Sequence, residues 1–323
     1  MNKQAAPSAL ALEKDQSKFH RFLIRFRKNW QLHLLLLLPI VYILIFYYAP
    51  MYGLQIAFRD FRPRAGIWGS QWVGLKHFST FIHAHNFWTI VSNTLYLSLY
   101  AVLVGFPIPI ILALLLHVSE HNVFKKIVQN VAYMPHFISV VVLVGIINQI
   151  LNPVVGVIGT FYHMFGGIGV APDIRANASV FRHLYVWSGI WQSMGWSTII
   201  YVAALAGVSS ELHEAAELDG ASRWKRVLNV DLPAIMPTVS IMLILRFGHV
   251  MSIGYEKVLL MQNDLNLSTS EVISTYVYKT GLGKMQMSYG SAIDLFNSVI
   301  NLILLNTVNF ITRKLTSGEQ GLF

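Results

Sequence analysis

One compact charged segment, EAAELDGASRWKRVLNVDLP (Glu214 to Pro233), interrupts an otherwise apolar chain of 323 residues. This charged insert carries four acidic and three basic side chains, whereas only 12% of the whole chain is charged and 54% is hydrophobic. Soluble domains have about 25% charged residues. The composition therefore indicates a membrane protein, and the charged insert is expected to project from the bilayer.

The apolar segments on either side are long enough to cross a membrane. A spanning helix needs about 20 apolar residues, because the hydrocarbon core is ~30 Å thick. The sequence therefore predicts an all-α polytopic membrane protein with six transmembrane helices, in a domain over residues 31–315. The predicted spans are about 32–58, 87–118, 127–151, 183–207, 233–261 and 285–312.

Tails are predicted at both ends, over residues 1–30 and 316–323. Within the first tail, apolar residues recur at helical spacing from Phe19 to Trp30, which predicts an amphipathic helix at the lipid surface, or else a solvated basic tail. Fourteen Lys and Arg residues fall on the side of the two termini and eight on the opposite side. The positive-inside rule therefore predicts that both termini and the charged insert are cytoplasmic.

The charged insert itself predicts a helix, a bend and a second helix. Glu214 to Leu218 favours helix and Gly220 interrupts it. Ser222 to Leu228 predicts a second short helix with Ser222 as N-cap, and Pro233 is expected to start the next span. Such a structure presents an apolar face to a partner protein, which a simple connecting loop would not need.

The charged insert resembles the EAA motif of permease subunits of ATP-binding-cassette (ABC) importers. In that motif EAA is followed by a glycine and, after nine intervening residues, by an aliphatic residue, one further residue and Leu-Pro; this sequence differs only in having Val230 where isoleucine is usual. The resemblance implies coupling helices over residues 211–232 that dock into an ATPase subunit. The implied coupling residues are Glu214, Ala215, Ala216, Asp219, Gly220, Arg223, Leu232 and Pro233.

Further segments extend the resemblance along most of the chain, among them NTLYLSLY, FPIPIILALLL, YMPHFISVVV and GWSTIIYVAALAGV. They are similar to the carbohydrate branch of type I ABC importers, in particular the permeases for complex, often uronate-containing oligosaccharides, which include the bacterial alginate importer. The resemblance implies a type I importer permease fold in the bacterial inner membrane. It also implies a second permease subunit, two ATPase subunits that bind ATP and Mg²⁺, and an extracytoplasmic solute-binding protein, with no cofactor bound by this chain.

No GxxxxGK[ST] nucleotide-binding motif occurs in the sequence, so ATP hydrolysis is assigned to partner subunits and no catalytic residue is predicted. The absence also leaves a secondary carrier for sugars or other polar solutes as an alternative. A net charge of +9 is also typical of nucleic-acid-binding proteins. Many of the basic residues here flank apolar spans, where they set membrane orientation, so nucleic acid is not predicted as a partner. His83 and His85 are a weak metal pattern without a carboxylate, so no metal site is predicted.

Polar and aromatic residues inside the predicted spans mark a solute path. A charge at the bilayer centre costs roughly 3 kcal/mol or more, so Arg246, His249 and Lys257 in the fifth span are expected to face a cavity. The alternative is an internal pair between Arg246 and Asp294. The candidate path residues are Trp191, Gln192, Trp196, Arg246, His249, Asp294 and Asn297. For Asn297 the alternative is helix-helix contact, and for the tryptophans it is an interfacial aromatic belt.

Overall fold

The computed structural model describes residues 27–315, with side chains for 27–314, and this part is almost entirely helical. The chain divides into two compact units, Met1–Gln55 and Ile56–Phe323. Most of the predicted surface helix, Phe19 to Trp30, and the tail 316–323 lie outside the described residues.

The described part of the N-terminal unit is one long apolar helix. It consists of α1 (Trp30–Ile43), a π-helical turn (Leu44–Tyr48) and α2 (Ala49–Met51), and it continues as a 3₁₀ helix (Tyr52–Phe58) across the boundary between the units. Pro50 has no N–H and its ring crowds the preceding turn, which explains the widened turn directly before it. None of the α1 side chains is buried, as expected of an apolar helix that faces lipid.

The second unit contains fifteen further α-helices and one small sheet among the described residues. The sheet is an antiparallel pair in which Arg59 lies opposite Trp72. The elements are β1 (Arg59–Arg62), α3 (Gly66–Gly69), β2 (Ser70–Trp72), α4 (Lys76–Ile82), α5 (Phe87–Gly105), α6 (Pro107–Val118), α7 (Asn122–Tyr133), α8 (Val140–Ile150), α9 (Val157–Met164), α10 (Ala178–Leu205), α11 (Ser210–Leu218), α12 (Arg223–Arg226), α13 (Leu232–Gly248), α14 (Tyr255–Met261), α15 (Leu267–Ser270), α16 (Ile273–Val277) and α17 (Met287–Leu315).

Among the described residues, four helices are long and apolar enough to cross a membrane, and the number is six if each of two bent helix pairs is one span. The four are Trp30–Phe58, Phe87–Val118, Arg223–Gly248 and Met287–Lys314. The bent pairs are Asn122–Phe137 with Val140–Ile150, and Ala178–Leu205 with Ser210–Leu218. The predicted six-span helical architecture is confirmed.

The third span is not the single helix predicted over 127–151. Its two halves meet at an angle of 101°. Pro135 lies in a 3₁₀ segment that ends the first half, and the extended Ser139 then starts α8 by accepting a hydrogen bond from the Val142 N–H at 3.3 Å. A proline followed by a serine N-cap is thus the local cause of the bend.

The fifth span also differs from the prediction of a helix over 233–261. It begins earlier, since α12, a π turn (Val227–Asp231) and α13 form one continuous helix, so Pro233 does not start a new one. It ends at Gly248, and Lys257 lies on the separate helix α14. Across from the break, Asn301 on α17 accepts a hydrogen bond from the Met251 N–H at 2.8 Å, which satisfies a buried backbone donor that no helix provides for.

Helix α10 lies at the centre of the second unit and packs closely on its neighbours. Ile190 and Leu97 of α5 belong to one buried apolar cluster, and Tyr201 and Ile235 of α13 belong to another. At Gly195 the backbone of α7 is so near that an added Cβ would lie 2.1 Å from the Ala132 carbonyl oxygen. Only glycine permits this approach, which fixes α10 against the third span.

Candidate functional site

A cavity of about 340 Å³ opens between α5, α6, α10, α13 and α14. Much of the cavity wall is apolar, which suits the apolar surfaces of a solute. A few polar side chains also point into the cavity. The polar side chains that line the cavity are Tyr185, Gln192, Ser193, Ser197, Tyr201, Arg246 and Lys257.

Two cations face this cavity, and neither is neutralised by a carboxylate. Lys257 is buried and its ammonium donates a hydrogen bond to the Tyr185 carbonyl oxygen at 2.9 Å. Arg246 is exposed and makes no hydrogen bond or ion pair with the residues that the structure describes. It lies 13 residues after Pro233 in sequence, which corresponds to about 20 Å along the helix.

Arg246 also lines a second, adjoining cavity of about 230 Å³. His249, Ser98 and Ser252 contribute polar groups to that cavity. Of the described residues that line either cavity, none is Asp or Glu. The two adjoining cavities, hereafter the cationic cavity, therefore present positive charge to whatever enters.

The structure brings together only some of the predicted path residues. Gln192, Arg246 and His249 line the cationic cavity, and the Gln192 side chain also donates to the Ile138 carbonyl oxygen at 2.7 Å. Trp191 and Trp196 are half exposed outside it, and Trp196 stacks on His136 at 4.5 Å between ring centroids. Stacking on a neighbouring ring accounts for Trp196 without a solute.

The two α17 candidates, Asp294 and Asn297, lie elsewhere. Asp294 lines a separate cavity of about 500 Å³, and no ion pair joins it to Arg246 within the described residues. The side chain of Asn297 is buried and donates to the Met251 carbonyl oxygen at 3.2 Å. This contact supports the helix-helix alternative for Asn297, since its amide hydrogen-bonds the backbone at the break after α13.

The charged insert forms the bend that its glycine predicts. Gly220 has φ +74°, and two backbone hydrogen bonds close α11 around it, from Gly220 to Glu217 and from Ala221 to Ala216, both 2.9 Å long. This is the Schellman arrangement, in which glycine is favoured because its left-handed conformation strains other residues. Ser222 occupies the predicted N-cap position, but its side chain makes no capping hydrogen bond.

Apolar side chains of the charged insert point into solvent. Leu218 is 89% exposed and Trp224 is 62% exposed, and neither of the two short helices that carry them has a buried residue. An ion pair between Arg223 and Glu120 at 2.6 Å joins the insert to the turn after α6, and one between Arg226 and Glu217 at 2.8 Å joins its two short helices. An exposed apolar tip of this kind is the form expected of a docking element.

Elsewhere in the second unit, the segment before α10 is hydrogen-bonded to the loop after α14. The Arg175 carbonyl oxygen accepts hydrogen bonds from the side chains of Asn263 and Asn266 at 2.9 and 3.0 Å. The Arg175 guanidinium also pairs with Asp173 at 2.8 Å, and this hydrogen bond lowers the pKa of the Asp173 carboxyl. The pair therefore remains ionised throughout the physiological pH range.

Comparison with known proteins identifies the chain. The family described as "Binding-protein-dependent transport system inner membrane component" matches residues 105–317. This protein belongs to that family. As a binding-protein-dependent permease it is a transport component, not an enzyme, and the predicted permease identity is confirmed.

Two curated relatives and two solved structures narrow the group. The chain is 39% identical over 318 residues, 98% of each chain, to the polygalacturonan/rhamnogalacturonan transport system permease protein YteP of Bacillus subtilis. It is 40% identical over 297 residues, 92% of each chain, to Protein LplB of the same organism. A permease chain in the crystal structure of a bacterial alginate ABC transporter, in complex with alginate pentasaccharide-bound periplasmic protein, matches with a TM-score of 0.84 and 33% identity over 94% of this chain and all of that chain.

The second structure is a bacterial ABC transporter involved in the import of the acidic polysaccharide alginate, with a TM-score of 0.83 and 34% identity over 92% of this chain and 99% of that chain. These comparisons show an ABC sugar transporter permease with the type I importer fold. The alternative of a secondary carrier is therefore wrong.

The sequence predicts only part of the cationic cavity. It predicts Lys257 on the same helix as Arg246, whereas the break after Gly248 brings Lys257 to the cavity from α14. Tyr185, whose carbonyl oxygen accepts the hydrogen bond from the ammonium, is not among the predicted path residues. A signal was present in Gly189, because an added Cβ there would lie 3.2 Å from the Lys257 Nζ, but a lone helical glycine does not reveal its neighbour.

Proposed function

We propose that this permease translocates uronate-containing oligosaccharides, of the alginate or polygalacturonate type, through the cationic cavity. The observation that carries the proposal is a cavity with Arg246, Lys257 and His249 in its wall and no carboxylate among its described lining residues. A sugar chain with carboxylates supplies the missing negative charge. Its apolar ring faces fit the aliphatic and aromatic remainder of the wall.

The strength of the contacts that Arg246 and Lys257 can make with a carboxylate is suitable for transport. Arg246 can meet a carboxylate with two parallel hydrogen bonds, while Lys257 acts as a single point charge. Hydrogen bonds to charged groups contribute roughly 1.5–3 kcal/mol in proteins, and water in the cavity weakens them further. Binding of this strength permits a solute to enter and to leave, which a translocation path requires.

The printed names of the relatives agree with an acidic solute. YteP is named for polygalacturonan and rhamnogalacturonan, and one of the solved transporters imports the acidic polysaccharide alginate. Galacturonan is by its name a polymer of a uronic acid. This chain shares 39% and 34% identity with the two permeases, so a related solute is the simplest proposal for it.

The proposal includes the partners that the motif implies. The exposed tip of the charged insert, with Leu218 and Trp224, docks into a cleft of one of two ATPase subunits, which hold ATP and Mg²⁺. A second permease subunit completes the path, and an extracytoplasmic binding protein delivers the solute. The alginate transporter was solved with a periplasmic protein bound, which supports this last partner.

The orientation follows from the same arrangement. The ion pair between Arg223 and Glu120 joins the charged insert to the turn between α6 and α7. Both connections therefore lie on one side of the membrane, as the six-span topology requires. The basic residues of these connections and of the termini support a cytoplasmic position for that side.

The test uses the assembled importer, with its partner permease, ATPase subunits and binding protein, in proteoliposomes. Uptake and ATP hydrolysis are measured with a uronate oligosaccharide and with the same oligosaccharide after its carboxyl groups have been reduced to alcohols. The pair matches in length and linkage and differs only in charge. We expect the acidic form to be taken up faster and to stimulate hydrolysis more; equal responses to the two forms would contradict the proposal.

A further inference from the structure

Three side chains that commonly bind metals meet beside the charged insert. His117 comes from the last turn of α6, His213 from α11, and Asp231 from the π turn that leads into α13. The Asp231 Oδ1 lies 3.1 Å from the His213 Nε2 and 3.5 Å from the His117 Nε2. All three ligand atoms lie within 4.8 Å of one another.

This carboxylate is buried without an adequate partner. Asp231 is 1% exposed, and its Oδ1 makes no hydrogen bond with the described residues. The His213 Nε2 is likewise buried without a hydrogen-bond partner there, although it is only 3.1 Å from that oxygen. The two atoms are close but not in hydrogen-bonding geometry. Atoms that face one shared ion have this relationship, whereas an unpaired buried anion is costly.

The neighbouring arginines do not neutralise the buried carboxylate of Asp231. Arg223 and Arg226 line the same cavity of about 180 Å³. Arg223 is paired with Glu120 at 2.6 Å, and Arg226 with Glu217 at 2.8 Å. Since both guanidinium groups are held by other carboxylates, the negative charge of Asp231 faces the cavity between the two imidazoles.

The distances and the donor atoms fit a zinc ion. With ligand bonds of 2.0–2.2 Å, two ligand atoms of a tetrahedral zinc site are about 3.4 Å apart, close to the two separations measured here. Two imidazole nitrogens disfavour Ca²⁺ and Mg²⁺, which prefer oxygen ligands. We propose that His117, His213 and Asp231 form a Zn²⁺ site, with water as the remaining ligand, that fastens α11 to the end of α6 and to the π turn before α13.

The location gives the site a consequence for the transporter. His213 lies one residue before Glu214, where the charged insert begins, while His117 and Asp231 belong to helices that extend into the membrane. A bound ion therefore cross-links α11, in which the charged insert begins, to two spans through three side chains. Occupancy is expected to make α11 move with α6 and α13 as one body, and to raise the thermal unfolding midpoint of the complex in a saturable way.

The test uses the assembled importer after chelator treatment and removal of the chelator. Zn²⁺ is added in competition with a fluorescent zinc chelator, and the affinity and stoichiometry are compared among variants. We expect saturable binding in the unmodified chain, at least a tenfold weaker affinity in His213→Gln and in His117→Gln, and no change in His121→Gln. His121 is a matched control, since it is a nearby exposed histidine outside the cluster. Equal affinity in the unmodified and His213→Gln importers would overturn the proposal.

A second measurement covers the case in which a variant fails to assemble. The chain contains no cysteine, so His213→Cys introduces a single thiolate that can replace the imidazole as a zinc ligand. Zinc X-ray absorption is expected to show a new zinc–sulfur distance of about 2.3 Å beside nitrogen and oxygen at about 2.0–2.2 Å. Absence of the sulfur signal in zinc-loaded His213→Cys importer would contradict the site. Neither measurement uses the solute, so the result is independent of the proposed oligosaccharide.

Discussion

The ammonium group of Lys257 donates a hydrogen bond of 2.9 Å to the backbone carbonyl oxygen of Tyr185 and lies 4.7 Å from the centre of the Tyr185 ring. The contact joins α14 to α10 and holds a positive charge in the wall of the cationic cavity. Both the ring and the carbonyl dipole favour a cation at this point. The charge is therefore fixed in position by α10 without being neutralised.

Replacement of Lys257 by methionine is expected to reduce uptake of a uronate oligosaccharide several-fold and to leave the carboxyl-reduced form unaffected. The Tyr185 carbonyl lies inside α10 and can still accept the helical hydrogen bond, so the variant leaves no unpaired backbone group. The measurement is the ratio of the two uptake rates in proteoliposomes. Gly189→Ala is a companion variant, since its Cβ would lie 3.2 Å from the Lys257 Nζ and displace the ammonium without removing the charge. An unchanged ratio in Lys257→Met would show that this cation does not meet the solute.

A second prediction concerns the packing of α10 on the third span. Gly195→Ala places a methyl group 2.1 Å from the Ala132 carbonyl oxygen and 2.9 Å from the Tyr133 N, and backbone atoms cannot yield as a flexible side chain can. Overpacking of this kind costs about 1–3 kcal/mol. We expect a lower thermal unfolding midpoint and a lower yield of assembled importer.

The matched control for this substitution is Gly145→Ala. Gly145 lies within α8, in the same bent span, and an added Cβ there would have no atom within 4 Å. Alanine favours helix over glycine by roughly 0.5–1 kcal/mol, so this variant is expected to be as stable as the unmodified chain or slightly more so. Equal loss of stability in both variants would mean that the close approach at Gly195 is not the cause.

A third prediction concerns the bend of the charged insert. Gly220 has φ +74°, a conformation that costs other residues about 1–2 kcal/mol and β-branched residues more. Gly220→Val is expected to distort the turn after α11 and to lower solute uptake while the ATPase subunits still hydrolyse ATP. Gly220→Asn is the control, because asparagine tolerates this conformation and should retain most of the coupling. Uptake per ATP hydrolysed is the quantity to measure, and normal coupling in Gly220→Val would contradict the importance of the bend.

The spans and the charged insert could be predicted because their signals are local. A run of about 20 apolar residues defines a span, and Gly220 defines a bend, from adjacent residues alone. The end of α13 has no such signal, since its break depends on Asn297 and Asn301, which bond Met251 from 46 and 50 residues away. The same limit hid the zinc ligands, because the spacing of His117, His213 and Asp231 matches no metal-binding motif and only the packing of α6, α11 and α13 brings them together.

The last prediction concerns Arg246, whose guanidinium faces the cationic cavity without an ion pair among the described residues. Arg246→Gln keeps a polar side chain of similar length but loses the charge and the two parallel hydrogen bonds to a carboxylate. We expect about tenfold slower uptake of the uronate oligosaccharide, equivalent to ~1.4 kcal/mol, with little change for the carboxyl-reduced form. Arg246→Lys should be intermediate, because an ammonium keeps the charge but not the planar fork.

Assembly of the importer distinguishes a role of Arg246 in solute binding from a structural role. Co-purification of Arg246→Gln with the ATPase subunits is expected to be normal, since no described contact depends on the guanidinium. Asp294→Asn is the matched control, because Asp294 lines a different cavity and should affect neither assembly nor the preference for acidic solute. If Arg246→Gln and Asp294→Asn instead fail to assemble in the same way, the two residues form a structural pair in the assembled transporter. The positive charge of Arg246 would then serve the packing of the transporter and not the binding of a solute. The case for an acidic solute would depend on the relatives alone.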